Sequence, residues 1–348
     1  MTRHVAILGG GRAGLAAAVC LQRHGISYTV LERGAALAAG LRRIDPEMEL
    51  LSPTRISLLP GMHRQAADPL YLTFPAYVKK LELLSAEFRI AIRTGAEVTR
   101  VTRSGHGFSV LLRDGTALDC THVVSAMGMV SFPRLPPRFD AAAARYRWLH
   151  SIDVRTSHLA GARRLLVVGG GQSAAEVFER WLAHRQEGDR AWLSVRTRTH
   201  ALPHWVFGID VHYLAWPLEF LRPRWLGLDP ATFREPVLGL TLPRALRAGA
   251  IARVPEIRDY TRPELVIVDG AHVEPDLVVF ATGFEYALDH LRDLIGSRAR
   301  WPRVRSCESV DAPGLYFLGL RHCRTLASAY LRGIARDAKT VAASIARS

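Results

Sequence analysis

Two doubly wound α/β domains are the fold class that this sequence predicts, on three observations. A short apolar run that ends in a glycine triplet and opens into a helical pattern occurs twice, at residues 5–23 and again at residues 165–183. Each copy is followed by a second apolar run, then by a hairpin signature and a hydrophobic strand that closes on glycine. The spacing is nearly the same in both, 119 positions from Gly9 to Gly128 and 114 from Gly169 to Gly283. A repeat of that length is a whole domain and not a solenoid module, and 348 residues are enough for two cores.

In the first copy, Val5, Ala6, Ile7 and Leu8 read as a buried parallel strand and residues 13–23 as a helix ended by His24-Gly25. Residues 27–31 supply the next strand, completing a βαβ unit of about 30 residues, the least that a crossover helix requires. Residues 108–112 and 117–120 flank Asp114-Gly115, a pair that tolerates the positive φ of a tight hairpin, and residues 123–128 close the unit. The second copy repeats the order. It has a strand at 165–168, a helix at 173–183, a strand at 191–195, hairpin strands around Asp269-Gly270, and a closing run at 278–283. Phe132-Pro133-Arg134-Leu135-Pro136-Pro137 can be neither a helix interior nor a central strand, so it is the connector. Residues 203–255 hold several prolines without periodicity and are expected near a substrate, with Trp205, Phe207, Tyr213 and Trp216 as candidate lining of an apolar site.

Composition excludes several classes. Hydrophobic residues make up 49% and charged residues 22% of the chain, an ordinary globular balance. The net charge of +14 rests on scattered arginines, with lysine only at Lys79, Lys80 and Lys339, so no nucleic-acid partner is predicted. No apolar stretch reaches the length of about 18 residues that a spanning helix needs. The N-terminal run is broken by Gly9-Gly10-Gly11, unlike a secretory leader. A cytoplasmic location is the expectation. Cys20, Cys120, Cys307 and Cys323 stand far apart with no CxxC, so neither a disulfide framework nor a metal site is expected.

The chemistry is carried by the two glycine triplets. Gly9-Gly10-Gly11-Arg12-Ala13-Gly14 fits GxGxxG directly between a strand and a helix, the context that makes this short pattern specific. There Gly9 permits the turn, Gly11 lets a pyrophosphate approach the backbone, and Gly14 brings helix and strand together. Glu32, 23 positions beyond Gly9, can accept hydrogen bonds from ribose hydroxyls and would repel a 2′-phosphate, so this pocket suits FAD or NAD. Gly169-Gly170-Gly171-Gln172-Ser173-Ala174 fits the GxGxxA variant. After its second strand come Arg196-Thr197-Arg198, whose guanidinium groups could grip a 2′-phosphate, which points to NADPH.

Further segments join these: Leu51-Ser52-Pro53 leading into Ser57-Leu58-Leu59-Pro60-Gly61, Ala126-Met127-Gly128, His150-Ser151, the run from Leu166 to Glu176, Ala281-Thr282-Gly283, and Gly314-Leu315-Tyr316-Phe317-Leu318-Gly319. Together they resemble the flavin-containing monooxygenases and their bacterial relatives, the class B flavoprotein monooxygenases, over nearly the whole chain. The resemblance implies an NADPH-binding domain, residues 151–284, inserted in an FAD-binding domain made of residues 1–150 and 285–348. It assigns Gly9, Gly11, Arg12, Ala13, Gly14, Glu32, Arg33, Gly128 and Gly319 to FAD. To NADPH it assigns Gly169, Gly171, Gln172, Ser173, Ala174, Arg196 and Arg198. A final helix over residues 326–342 would aim its N-terminus at the isoalloxazine.

The family pattern FxGxxxHxxx(Y/W) survives here only as His150, because Ala144, Tyr146 and Val154 occupy its other places. Ser52 and Thr54 stand where many members have an active-site asparagine. What the resemblance implies is an FAD-dependent, NADPH-consuming monooxygenase. It would pass one oxygen of O2, through a flavin hydroperoxide, to a small-molecule N, S or activated C centre, with Ser52 and Arg55 as catalytic candidates and a homo-oligomer compatible with it. The alternatives are an NADPH-dependent flavin reductase of the thioredoxin-reductase type without a CxxC, or a non-catalytic NADPH- and FAD-binding regulator. His150 reads better as a structural histidine at the linker than as a base.

Overall fold

The apolar runs become the inner, parallel strands of two sheets. A computed structural model describes residues 3–128, 130, 132–197, 199–222, 227, 235–262, 265–267, 272–286, 288–296 and 301–348. His4–Leu8 lies inside a seven-stranded sheet, flanked in parallel by Ser27–Leu31 and His122–Ser125. Ile92–Arg93 extends one side and Leu315–Phe317 the other, so the C-terminal part of the chain completes the first sheet. Val5, Ala6 and Ile7 have no exposed surface, as expected for a strand covered on both faces. The helix Arg12–Arg23 packs against the C-terminal helix Leu331–Arg347 on this sheet.

The second sheet has five parallel strands in the order Ala252–Val254, Arg190–Ser194, Arg164–Val168, Leu277–Phe280 and Arg147–His150. Alternate residues of its central strand feed two cores, Leu165 and Val167 on one face and Leu166 and Val168 on the other. Arg147–His150, the end of the first expected segment, pairs in this second sheet. In each copy the expected hairpin belongs to a separate three-stranded antiparallel sheet. One comprises Val98–Ser104, Gly107–Leu112 and Ala117–Cys120; the other comprises Ile257–Asp259, Leu265–Ile267 and His272–Val273. The turn Asp269-Gly270 lies outside the described residues.

One element starts later than expected. Residues Leu326–Ala329 form a 3-10 turn, Tyr330 is extended, and the C-terminal helix begins only at Leu331. The cause is local: Ser328 Oγ accepts the backbone N–H groups of Arg324 and Thr325, and a hydroxyl that competes in this way diverts the backbone from the helix.

Candidate nucleotide site

The chain builds the same cradle twice. Gly9 and Gly169 have φ of 110° and 115°. Gly11 and Gly171 have φ of −89° and −90°, with ψ of −166° and −169°. A Cβ on Gly14 would stand 1.9 Å from the Gly9 carbonyl oxygen, so the helix–strand approach in the first copy excludes any side chain there. Gly11 and Gly171 instead face open space, with no atom within 4 Å of an added Cβ. Neither of the two helices that follow has a side-chain cap or an acid in its first turn. Their leading N–H groups are left for an anion.

In front of the first cradle lies a cavity of about 440 Å³. It is lined by Gly9, Gly11, Arg12, Ala13, Glu32, Arg33, Gly128 and Gly319, while Gly14 sits behind it against Gly9. The Glu32 carboxylate accepts the N–H of Gly10 at 2.8 Å and that of Gly34 at 2.7 Å, which fixes it beside the glycine turn with lone pairs to spare. Sequence reasoning missed several lining residues: Ala96, Val98 and Thr99 at the start of the antiparallel sheet, Tyr286 and His290 from the return segment, and Ala329 and Ile334 around the start of the C-terminal helix. Only the Asp114-Gly115 hairpin signalled that a further sheet exists there. His290 is 6% exposed, and its Nε2 has no hydrogen-bond partner among the described residues. Burial pushes this imidazole down to about 4. An open cradle, a ribose-facing acid and an orphaned imidazole nitrogen in one cavity of ligand size fit a dinucleotide such as FAD.

The second cradle is arranged with different neighbours. Gln172 Oε1 accepts the Leu238 N–H at 2.8 Å, and its Nε2 donates to Glu176 at 3.3 Å. Burial raises the Glu176 carboxyl to about 7. Ala174 is fully buried and Ser173 half-buried. Arg196 is exposed just beyond the strand Arg190–Ser194, and Arg198 lies outside the described residues.

Ser52 and Arg55 are not brought to the cavity. Ser52 Oγ bonds Ser57 Oγ at 2.9 Å, and Arg55 is exposed on the 3-10 turn Thr54–Ile56. His150 is buried; its Nδ1 accepts the Ile152 N–H, so Nε2 carries the proton and donates to the Gly283 carbonyl at 3.1 Å. It therefore ties the entry of the second unit to its exit.

The expected apolar lining is corrected. Trp205 is 47% exposed and Phe207 fully exposed, while Tyr213 and Trp216 are half-buried. Within residues 205–219 the buried side chains are polar, Asp210 and His212, and Asp210, 1% exposed, accepts Tyr71 OH and the His212 N–H and lies 3.3 Å from His204 Nε2. Glu219 pairs with Arg332 and Glu235 with Arg321. The cysteine expectation also missed a contact. Cys307 and Cys323, 16 positions apart, bring their sulfurs to 3.1 Å beside the buried Asp337. No sequence spacing announces such a pair.

Comparison with known proteins places these features. Residues 6–196 match the family model described as pyridine nucleotide-disulphide oxidoreductase. Indole-3-pyruvate monooxygenase YUCCA1 of Oryza sativa subsp. japonica is 28% identical over 315 residues, 80% of this chain and 76% of its own. The uncharacterized oxidoreductase CzcO-like of Geobacillus kaustophilus is 24% identical over 340 residues, 96% of each chain. A flavin-containing monooxygenase from Stenotrophomonas maltophilia has the same fold, with a TM-score of 0.79 at 22% identity over 99% of this chain and 98% of that one. So does the bacillithiol disulfide reductase Bdr (YpdA) from Bacillus cereus, with a TM-score of 0.74 at 18% identity over 100% and 99%. The architecture expected from the sequence is thereby borne out.

Proposed function

The chain belongs to the pyridine nucleotide-disulphide oxidoreductase family, and on that premise we propose an FAD-dependent, NADPH-consuming monooxygenase that transfers one oxygen of O2 to a small-molecule nitrogen, sulfur or activated carbon centre. The observation that carries this reading is the duplicated cradle with opposite charge beside it, Glu32 in one copy and Arg196 in the other. Bound flavin would supply hydride acceptance and O2 activation, chemistry that belongs to the cofactor. The protein's own residues do the binding. Gly11 and the helix N-terminus behind it receive a diphosphate, Glu32 takes ribose hydroxyls, and His290, kept neutral by burial, offers a hydrogen bond inside the cavity. His150 holds the two ends of the inserted unit together.

For the domains, the division follows the sheets. The FAD-binding part comprises the chain up to the connector and from residue 285 onward, and the NADPH-binding part begins at Arg147, a few residues earlier than the sequence suggests. We propose a cytoplasmic location, in keeping with a diffusible NADPH supply. A dithiol relay is disfavoured because Cys307 and Cys323 are 0% and 2% exposed, beyond the reach of a disulfide substrate. The test is turnover with NADPH, labelled O2 and a panel of amines and thioethers. One labelled oxygen in the product is expected; NADPH oxidation that continues unchanged without O2, onto a disulfide acceptor, contradicts the reading.

A further inference from the structure

We propose that His204, Asp210 and His212 hold a divalent metal ion of the zinc class, a site independent of the oxygenase reading. The Asp210 side chain is 1% exposed, yet among the described residues none of its partners is a lysine or an arginine. Tyr71 OH and the His212 N–H donate to its carboxylate, and two imidazole nitrogens stand beside it, His212 Nδ1 at 2.8 Å and His204 Nε2 at 3.3 Å. A desolvated carboxylate ordinarily lies against a cation or a metal. Arg332, which stands near His212, is already engaged by Glu219.

His204 supplies the second observation. Its Nε2 is buried and has no hydrogen-bond partner among the described residues, although Asp210 Oδ2 is 3.3 Å away, so the two atoms are close without being aligned for an N–H···O bond. The rest of the His204 side chain is 24% exposed, which leaves an ion a way in. One ligand atom from each of the three residues lies within 4.8 Å of the others.

The backbone holds this set together before any ion arrives. Asp210 pairs with Trp205 in the hairpin Trp205–Val206/Ile209–Asp210, and the Val211 N–H donates to the His204 carbonyl at 2.8 Å. His212 follows in the first turn of the helix Val211–Glu219. Tyr71 OH supports the carboxylate from outside the set, as the partners of metal ligands commonly do.

The donors select the ion. Two imidazoles and one carboxylate with a fourth position open suit zinc, whereas calcium and magnesium prefer oxygen alone. The cluster Cys307, Cys323 and Asp337 is less suited, because Asp337 is paired with Arg324 and all three side chains are closed to solvent.

The test is zinc binding by the full chain, free of any polyhistidine tag and stripped with a chelator, followed by calorimetry and by metal analysis after dialysis. One zinc per chain is expected, with a rise in melting temperature. His204→Phe keeps the ring contacts with Tyr71 and His212 and removes the ligand nitrogen. It should leave the metal-free protein folded, weaken binding at least about a hundredfold and abolish the rise, while Tyr71→Phe should weaken binding about tenfold. The proposal is overturned by absence of binding or by binding that His204→Phe leaves intact. Binding lost in Cys323→Ser but kept in His204→Phe would also overturn it, in favour of the cysteine cluster.

Discussion

Glu32 and His290 show how single side chains prepare a pocket before a ligand arrives. The carboxylate takes two backbone N–H groups and is thereby aimed, whereas the imidazole is buried with one nitrogen unmatched. Glu32 was legible in the sequence because a strand end a fixed distance past a glycine turn can lie in only one place. His290 was not, because its approach to the cavity depends on how a segment some 280 residues from Gly9 returns to the first sheet. The imidazole's depressed value has a consequence for stability. Below the ordinary histidine range the unfolded chain takes up a proton that the folded one refuses, so stability present above about pH 6.5 is lost as pH falls toward about 4. We expect the unfolding free energy from urea titrations to drop over that interval, by up to about 3 kcal/mol from this group. His290→Leu should flatten the drop, and an unchanged profile would show that another group governs it.

At the scale of elements, the strand–turn–helix units were readable to within a residue or two, since buried parallel strands are short uninterrupted apolar runs and the glycines leave few backbones. The reading failed where polar side chains or distant partners decide. Ser328 delays the last helix, and in the segment after Pro203 Trp205 and Phe207 are exposed while Asp210, Glu219 and Glu235 are engaged by Tyr71, Arg332 and Arg321. In the proposed function, Arg196 at the exit of the strand Arg190–Ser194 would read the nucleotide's 2′-phosphate. Arg196→Ala should raise KM for NADPH about tenfold, the worth of one charge-assisted hydrogen bond, and leave KM for NADH nearly unchanged. Equal losses for both cofactors would remove Arg196 from phosphate recognition.

Across the whole molecule, the two units are joined by more than the connector. Asp45, 3% exposed in the first unit, accepts the N–H and hydroxyl of Thr156 and the guanidinium of Arg180 in the second. Asp45→Ala would strand a largely buried cation and should cost about 3 kcal/mol in chemical denaturation. Arg43→Ala removes only the half-exposed Arg43–Asp153 pair and should cost under about 1 kcal/mol. Similar costs for the two would mean that the junction is not held by its buried charge.

The central claim is that two like-shaped cradles serve two different nucleotides. It is met most directly by placing valine where each cradle is open, Gly11→Val and Gly171→Val, and measuring bound flavin and its anaerobic bleaching by NADPH. Gly11→Val should be a folded, colourless protein that still binds NADPH, and Gly171→Val a yellow one that NADPH does not bleach. If Gly171→Val loses its flavin, or Gly11→Val keeps it, the division of labour described here is wrong.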